Sequence, residues 1–156
     1  MVSKRILPPD LKTAVLYFVG IKGTGMSALA ELMQSHGARV SGSDTEEHFY
    51  TDAILTSLGI PYYEGFRAEN VPTEVDLVVY SAAYDPLTHP ELSEARRRGI
   101  PIVEYTAALG ELSRDLHATG IAGVHGKTTT TAMAGTIVKE LNLPVSVLVG
   151  SAVRGF

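Results

Sequence analysis

At 156 residues and 45% hydrophobic content, the chain has room for one ordinary domain, or one domain with part of a second, and apolar residues enough for a core. Its 13 Lys and Arg against 17 Asp and Glu leave a formal charge of −4, which offers no basic stripe for nucleic acid. The absence of cysteine excludes disulfides and thiolate metal sites, and no apolar run approaches the ~20 residues that cross a bilayer, so a cytoplasmic protein with no membrane partner is expected.

The N-terminal stretch, with Pro8-Pro9-Asp10, has no signal-peptide core. Residues 13–19 are almost uninterrupted Val, Leu, Tyr and Phe and read as a buried strand, which runs into Gly20-Ile21-Lys22-Gly23-Thr24-Gly25-Met26. Beyond it Met26, Leu29, Ala30, Leu32 and Met33 recur at helical spacing. A strand, a glycine turn and a helix in that order suggest a dinucleotide-type fold, yet Lys22 stands where the middle glycine of G-x-G-x-x-G lets backbone approach a pyrophosphate. Gly23 is placed to take over that role. The lysine either adds positive charge beside a diphosphate or is a solvated side chain at a loop tip.

A second strand, 38–43, ends at Asp44, a position from which an acid accepts hydrogen bonds from ribose hydroxyls. The competing account is a strand end followed by a helix cap. Further strands are expected at 60–63, 75–81 and 101–103, with helices at 25–36, 50–58 and 89–98. This alternation predicts a Rossmann-like α/β domain over 1–112, a parallel sheet with helices on both faces and a ligand site beyond the carboxyl ends of its strands, where Gly20, Asp44 and Ser81 fall.

A short helical pattern at 105–113 leads to a polar hinge, Arg114-Asp115-Leu116-His117, after which a new unit is expected: strand 118–124, helix 127–141 and strand 145–149. Between the first two lies Gly123-Val124-His125-Gly126-Lys127-Thr128-Thr129. Glycines there let N–H groups turn toward a polyphosphate, Lys127 reaches the β- and γ-phosphates, and the Thr128 hydroxyl is placed for Mg²⁺. Ile121 occupies the first glycine of G-x-x-x-x-G-K-[ST], so a shortened loop is in view, and a threonine-capped surface turn is the plain alternative. ATP with Mg²⁺ is the expected guest. A phosphate-loop sheet needs more strands and an acidic metal ligand than 143–156 provide, so 113–156 is expected to be only the beginning of an ATP-binding domain.

The blocks Phe18-Val19-Gly20-Ile21-Lys22-Gly23-Thr24-Gly25-Met26-Ser27, Ser41-Gly42-Ser43-Asp44, Glu69-Asn70-Val71, Val78-Val79-Tyr80-Ser81-Ala82-Ala83 and Gly123 to Thr130 resemble, in the same order, the N-terminal part of the Mur ligases. These are ATP-dependent enzymes that add amino acids to UDP-N-acetylmuramate in peptidoglycan synthesis. His125 is similar to the branches that add L-alanine or recycle the tripeptide, and Gly25-Met26 favours the alanine branch. The resemblance implies that Gly20, Lys22, Gly23, Thr24, Gly25 and Met26 surround a UDP diphosphate, that Asp44 approaches the uridine side, and that Ser81 and Ala82 line the pocket. It also implies that Gly123, Gly126, Lys127, Thr128 and Thr129 hold ATP and Mg²⁺. The family reaction forms an acyl phosphate from the muramoyl carboxylate, which the alanine amine then opens. His125 is either near the reacting groups or shapes its loop. Val124 and Phe66 depart from the family's usual threonine and histidine. The acidic metal ligands and the amino-acid-binding domain expected of the family are not in this sequence, so the chain alone is expected to be inactive. A regulatory dinucleotide-binding module is the alternative from another class. The residues leave the oligomeric state open.

Overall fold

The computed structural model describes residues 5–114, 116–151 and 153. Five strands, β1 (Val15–Val19), β2 (Arg39–Asp44), β3 (Tyr62–Glu64), β4 (Leu77–Tyr80) and β5 (Ile102–Glu104), form one sheet in the order β3-β2-β1-β4-β5. Every pairing is parallel, with Phe18 opposite Gly42 on one side and Val79 on the other. A parallel sheet needs cover on both faces, which is why β1 is apolar on consecutive residues and does not alternate.

Leu16 and Phe18 of β1, with Leu77 and Val79 of β4, face one layer, formed by α1 (Thr24–Ser35), α2 (Thr51–Ser57) and α4 (Tyr105–Arg114). Met26, Leu29, Ala30 and Met33 supply the buried stripe of α1. Tyr17, Val19 and Val78 point to the opposite face, where Leu92 and Ala95 of α3 (Pro90–Arg97) cover them. Pro90 opens α3 with a φ already suited to a helix, and Arg96 and Arg97 close it at its negative end. The expected Rossmann-like architecture is present, with β3 formed at 62–64, later than the 60–63 read from sequence.

The N-terminal segment is latched to α4. The N–H groups of Ile6 and Leu7 donate to the two carboxylate oxygens of Glu111 at 2.7 and 3.1 Å. After α4 the character of the chain changes. Helix α5 (Lys127–Glu140) forms, but the strands expected at 118–124 and 145–149 do not. A strand is defined by pairing, and neither segment has a partner among the described residues. Within α5 only Gly135 is buried, and Met133, Ile137 and Leu141 are 63%, 58% and 63% exposed. No helix among the described residues is long and apolar enough to cross a membrane.

Candidate functional site

The first glycine loop lies at the carboxyl end of β1, where the strand order reverses between β2 and β4 and the outgoing connections leave a crevice. Gly20 has φ +84°, and a Cβ there would lie 2.6 Å from the Tyr84 ring, so only glycine fits this turn. The N–H groups of Gly20 and Ile21 both donate to the Ser43 carbonyl, which ties the loop to β2. Gly42 makes that approach possible: a Cβ would sit 2.9 Å from the Ile21 side chain and closer still to the Phe18 carbonyl. Helix α1 then starts at Thr24 with Gly23 as its cap, and the N–H groups of Thr24, Gly25 and Met26 have no acceptor within the helix. Together with the positive end of the helix dipole they suit an anion. Gly25 is also a packing glycine, since a Cβ would meet the Tyr105 hydroxyl at 2.8 Å. Met26 is buried in the core, so it can offer a ligand its backbone alone.

Lys22 is not a solvated side chain at a loop tip, a reading its burial corrects, and its charge is engaged by groups of the protein itself. It is 1% exposed, and its ammonium donates to the carbonyls of Thr45 and Glu47 and to Glu64 Oε1, all at 3.0 Å, with Asp52 Oδ1 at 3.6 Å and the Tyr62 ring centroid at 5.1 Å. Burial works against the charge, but the Glu64 hydrogen bond and the Asp52 carboxylate outweigh it and hold the ammonium above its ordinary pKa. Its N–H donates to Asp44 Oδ2 at 2.6 Å, while Asp44 Oδ1 accepts from the Thr45 N–H at 2.7 Å. Asp44 therefore braces the loop itself; hydrogen bonds to a sugar would have to use the remaining lone pairs of a carboxylate that is 5% exposed. The loop runs under a rim where the Tyr50 hydroxyl donates to Thr24 Oγ1 at 2.8 Å.

On the β4 side, Ser81 follows the strand with its N–H on the Val19 carbonyl, and Ala82 beside it is exposed. Sequence reasoning missed the aromatic group beneath them. Phe66, Tyr84 and His89 pack edge to face or tilted with centroids 4.6 to 5.0 Å apart. Burial, followed by the nearby Asp44 carboxylate, pushes the Tyr84 hydroxyl up to about 12. Phe66 is thus a packing residue. Behind this group Glu91 is fully buried and accepts from Ser43 Oγ, from Asn70 Nδ2 at 2.8 Å and from the Arg67 N–H at 3.2 Å. Burial raises its carboxyl and these donors partly offset the rise. Asn70 of the Glu69-Asn70-Val71 block thereby acquires a structural role no spacing rule could have supplied.

The second loop stands apart from this crevice in composition and exposure. Gly126 has φ +79° and caps α5, so the chain turns into the helix with its first-turn N–H groups turned outward at Lys127, Thr128 and Thr129. The Lys127 ammonium lies back over the loop, donating to the carbonyls of Gly123 at 2.6 Å and Val124 at 3.3 Å. His125, Lys127, Thr128 and Thr129 are exposed. A glycine in the left-handed region, a helix N-terminus and a lysine folded over loop carbonyls fit a triphosphate. The described residues hold no group of three His, Asp or Glu able to hold a metal. The sequence-derived residues thus fall into two sets, Gly20 to Met26 with Asp44, Ser81 and Ala82 at the sheet edge, and Gly123 to Thr129 at the start of α5.

Comparison with known proteins gives the chain well-matched relatives. The chain is 56% identical over 149 residues to the UDP-N-acetylmuramate–L-alanine ligase of Treponema pallidum subsp. pallidum, covering 96% of this chain and 31% of that protein. It thus spans about a third of the length of such curated relatives. Among solved structures, the UDP-N-acetylmuramate–alanine ligase of Thermotoga maritima matches with a TM-score of 0.75 and 35% identity over 83% of this chain and 30% of that one. A UDP-N-acetylmuramate:L-alanyl-γ-D-glutamyl-meso-diaminopimelate ligase from Neisseria matches with a TM-score of 0.81 and 28% identity, covering 92% and 45%. The family profile "Mur ligase family, catalytic domain" matches residues 15–117, two strand-ends of the crevice and the sheet between them included, and the chain belongs to the Mur ligase family.

Proposed function

We propose that this chain is the UDP-sugar-binding domain and the start of the ATP-binding domain of a cytoplasmic ligase that joins L-alanine to UDP-N-acetylmuramate. The observation that carries the reading is the 56% identity over 96% of the chain to an enzyme of that name. The two loops support it chemically. A carboxylate is a poor electrophile, so amide formation needs activation: a muramoyl carboxylate oxygen bonds to the γ-phosphorus of ATP and ADP leaves. The alanine amine then attacks the acyl carbon, phosphate departs, and the amine loses its proton. In this division of labour Thr24, Gly25 and Met26 offer N–H groups to the UDP diphosphate, Gly20 and Gly23 shape the turn that lets it approach, and Asp44, Ser81 and Ala82 stand at the crevice edge. Gly123, Gly126 and Thr129 cradle the ATP phosphates, Lys127 neutralises charge on the transferring phosphoryl group, and Thr128 helps place Mg²⁺. His125, exposed beside Gly126, would either meet the reacting end or shape the loop.

The tripeptide-recycling reading draws on the 0.81 TM-score of the Neisseria structure. Backbone likeness is shared by both branches, whereas residue identity separates them, and it favours the alanine branch. Calorimetric titration of UDP-N-acetylmuramate, NAD and ATP–Mg²⁺ into the chain, with Lys127→Ala as control, tests the proposal. UDP-N-acetylmuramate binding that survives Lys127→Ala, with ATP binding lowered by it, is expected. NAD bound more tightly than the UDP-sugar would overturn the reading in favour of a dinucleotide module.

A further inference from the structure

Lys22 gathers a whole segment onto itself. Its N–H reaches Asp44, its ammonium holds the carbonyls of Thr45 and Glu47, its own carbonyl accepts the Thr51 hydroxyl, and Glu64 and Asp52 balance its charge. Residues 45–50 have no regular secondary structure. Without these bonds they would be an ordinary surface connection between β2 and α2, free to sample many conformations. The segment ends in Tyr50, whose ring is 48% exposed and whose hydroxyl rests on Thr24, the first residue of the helix that presents its N–H groups to the crevice.

We propose that Lys22 is a positioning residue for the diphosphate site: its buried ammonium locks segment 45–52 as a preformed wall, which sets the Tyr50 hydroxyl as a donor to Thr24 and so leaves the Thr24 hydroxyl to donate its own proton, at the mouth of the glycine loop, to the phosphates of a nucleoside diphosphate sugar. This rests on the UDP-sugar reading above and deepens it, for the lysine acts through the wall and never touches the ligand. A glycine at position 22 would leave the wall unpinned, and the ligand would then have to order the segment as it binds. Preorganisation of this kind is felt as affinity. The acids around Lys22 belong to the same device, because a lone buried ammonium would shed its proton and a lone Glu64 would stay in water.

Two measurements on the chain test it. In Lys22→Met, amide hydrogen exchange across 45–52 is expected to accelerate at least tenfold while amides of β1 and β4 keep the parent rate. Calorimetric affinity for UDP-N-acetylmuramate is expected to fall at least tenfold, and saturating UDP-sugar should slow the segment's exchange again. Tyr50→Phe, which leaves the wall in place, is expected to lower affinity without changing exchange in 45–49. Parent-like exchange in 45–52 overturns the proposal, as does a loosened segment with unchanged affinity. Should Lys22→Met not fold, Glu64→Gln carries the test, since it weakens the same clamp from the surface and must accelerate the same amides. If the parent binds NAD and not the UDP-sugar, the functional reading fails, while exchange in the ligand-free proteins still decides whether Lys22 holds the wall.

Discussion

At the scale of single residues, the crevice is shaped by side chains that are absent as much as by those present. Gly25 shows this best. A methyl group there would collide with the Tyr105 hydroxyl and its ring carbon, at 2.8 and 2.9 Å, at the junction of α1 and α4. Gly25→Ala is therefore expected to destabilise the domain by ~1–3 kcal/mol through overpacking, read as a lower urea midpoint with unchanged m-value. Glu91 makes a pH-dependent prediction. Its folded pKa is raised, chiefly by burial, so the folded state holds its proton to higher pH than the unfolded chain, and stability falls as pH rises above the ordinary value of 4.5. His89 works oppositely: burial lowers its folded pKa, so stability is lost as pH falls below 6.5. Glu91→Gln removes only the first effect. The Tm of the variant minus that of the parent should rise as pH increases above 4.5, and a flat difference would show that Glu91 is not the burdened group. Residue roles were legible where geometry follows from residue type, as at Gly20 and Gly126. They were hidden where a partner comes from distant sequence. Nothing near Lys22 announces Glu64, and nothing near Ser43 announces Glu91.

Among the elements, α5 is the one whose surroundings disagree with its pattern. Met133, Ile137 and Leu141 recur every four residues, which on a helix makes one stripe, and all lie in water. The helix was legible because its N-terminal glycine, threonines and length are local features. The flanking strands were not, since hydrophobic runs at 118–124 and 145–149 say only that a segment would suit a sheet, and pairing is settled by partners. An element with so little buried surface should open readily. Trypsin at low ratio is expected to cut first at Arg114 and Lys139, both exposed, and to leave a resistant species ending near Arg114. Equal resistance of the α5 region and the sheet domain in a proven monomer would contradict the exposure described here.

For the molecule as a whole, the order and type of elements through residue 114 could be read from alternation alone, because parallel strands buried on both faces leave long apolar runs and helices leave stripes. The sheet order follows from rules of connection that allow few arrangements for such an alternation. The latch between Ile6, Leu7 and Glu111 lay beyond any such rule, since a carboxylate meeting two backbone N–H groups from the other end of the domain leaves no periodic trace. Its consequence is mechanical. By joining the first described residues to the last helix of the sheet domain, the latch closes that domain into a ring, with entry and exit of the chain at one seam. A pull arriving through the segment after Arg114 is then shared between β5, which α4 follows directly, and the N-terminal segment held by Glu111. Strain on α4 is thereby divided before it reaches Tyr105, the residue of that helix that packs on Gly25 of the glycine loop.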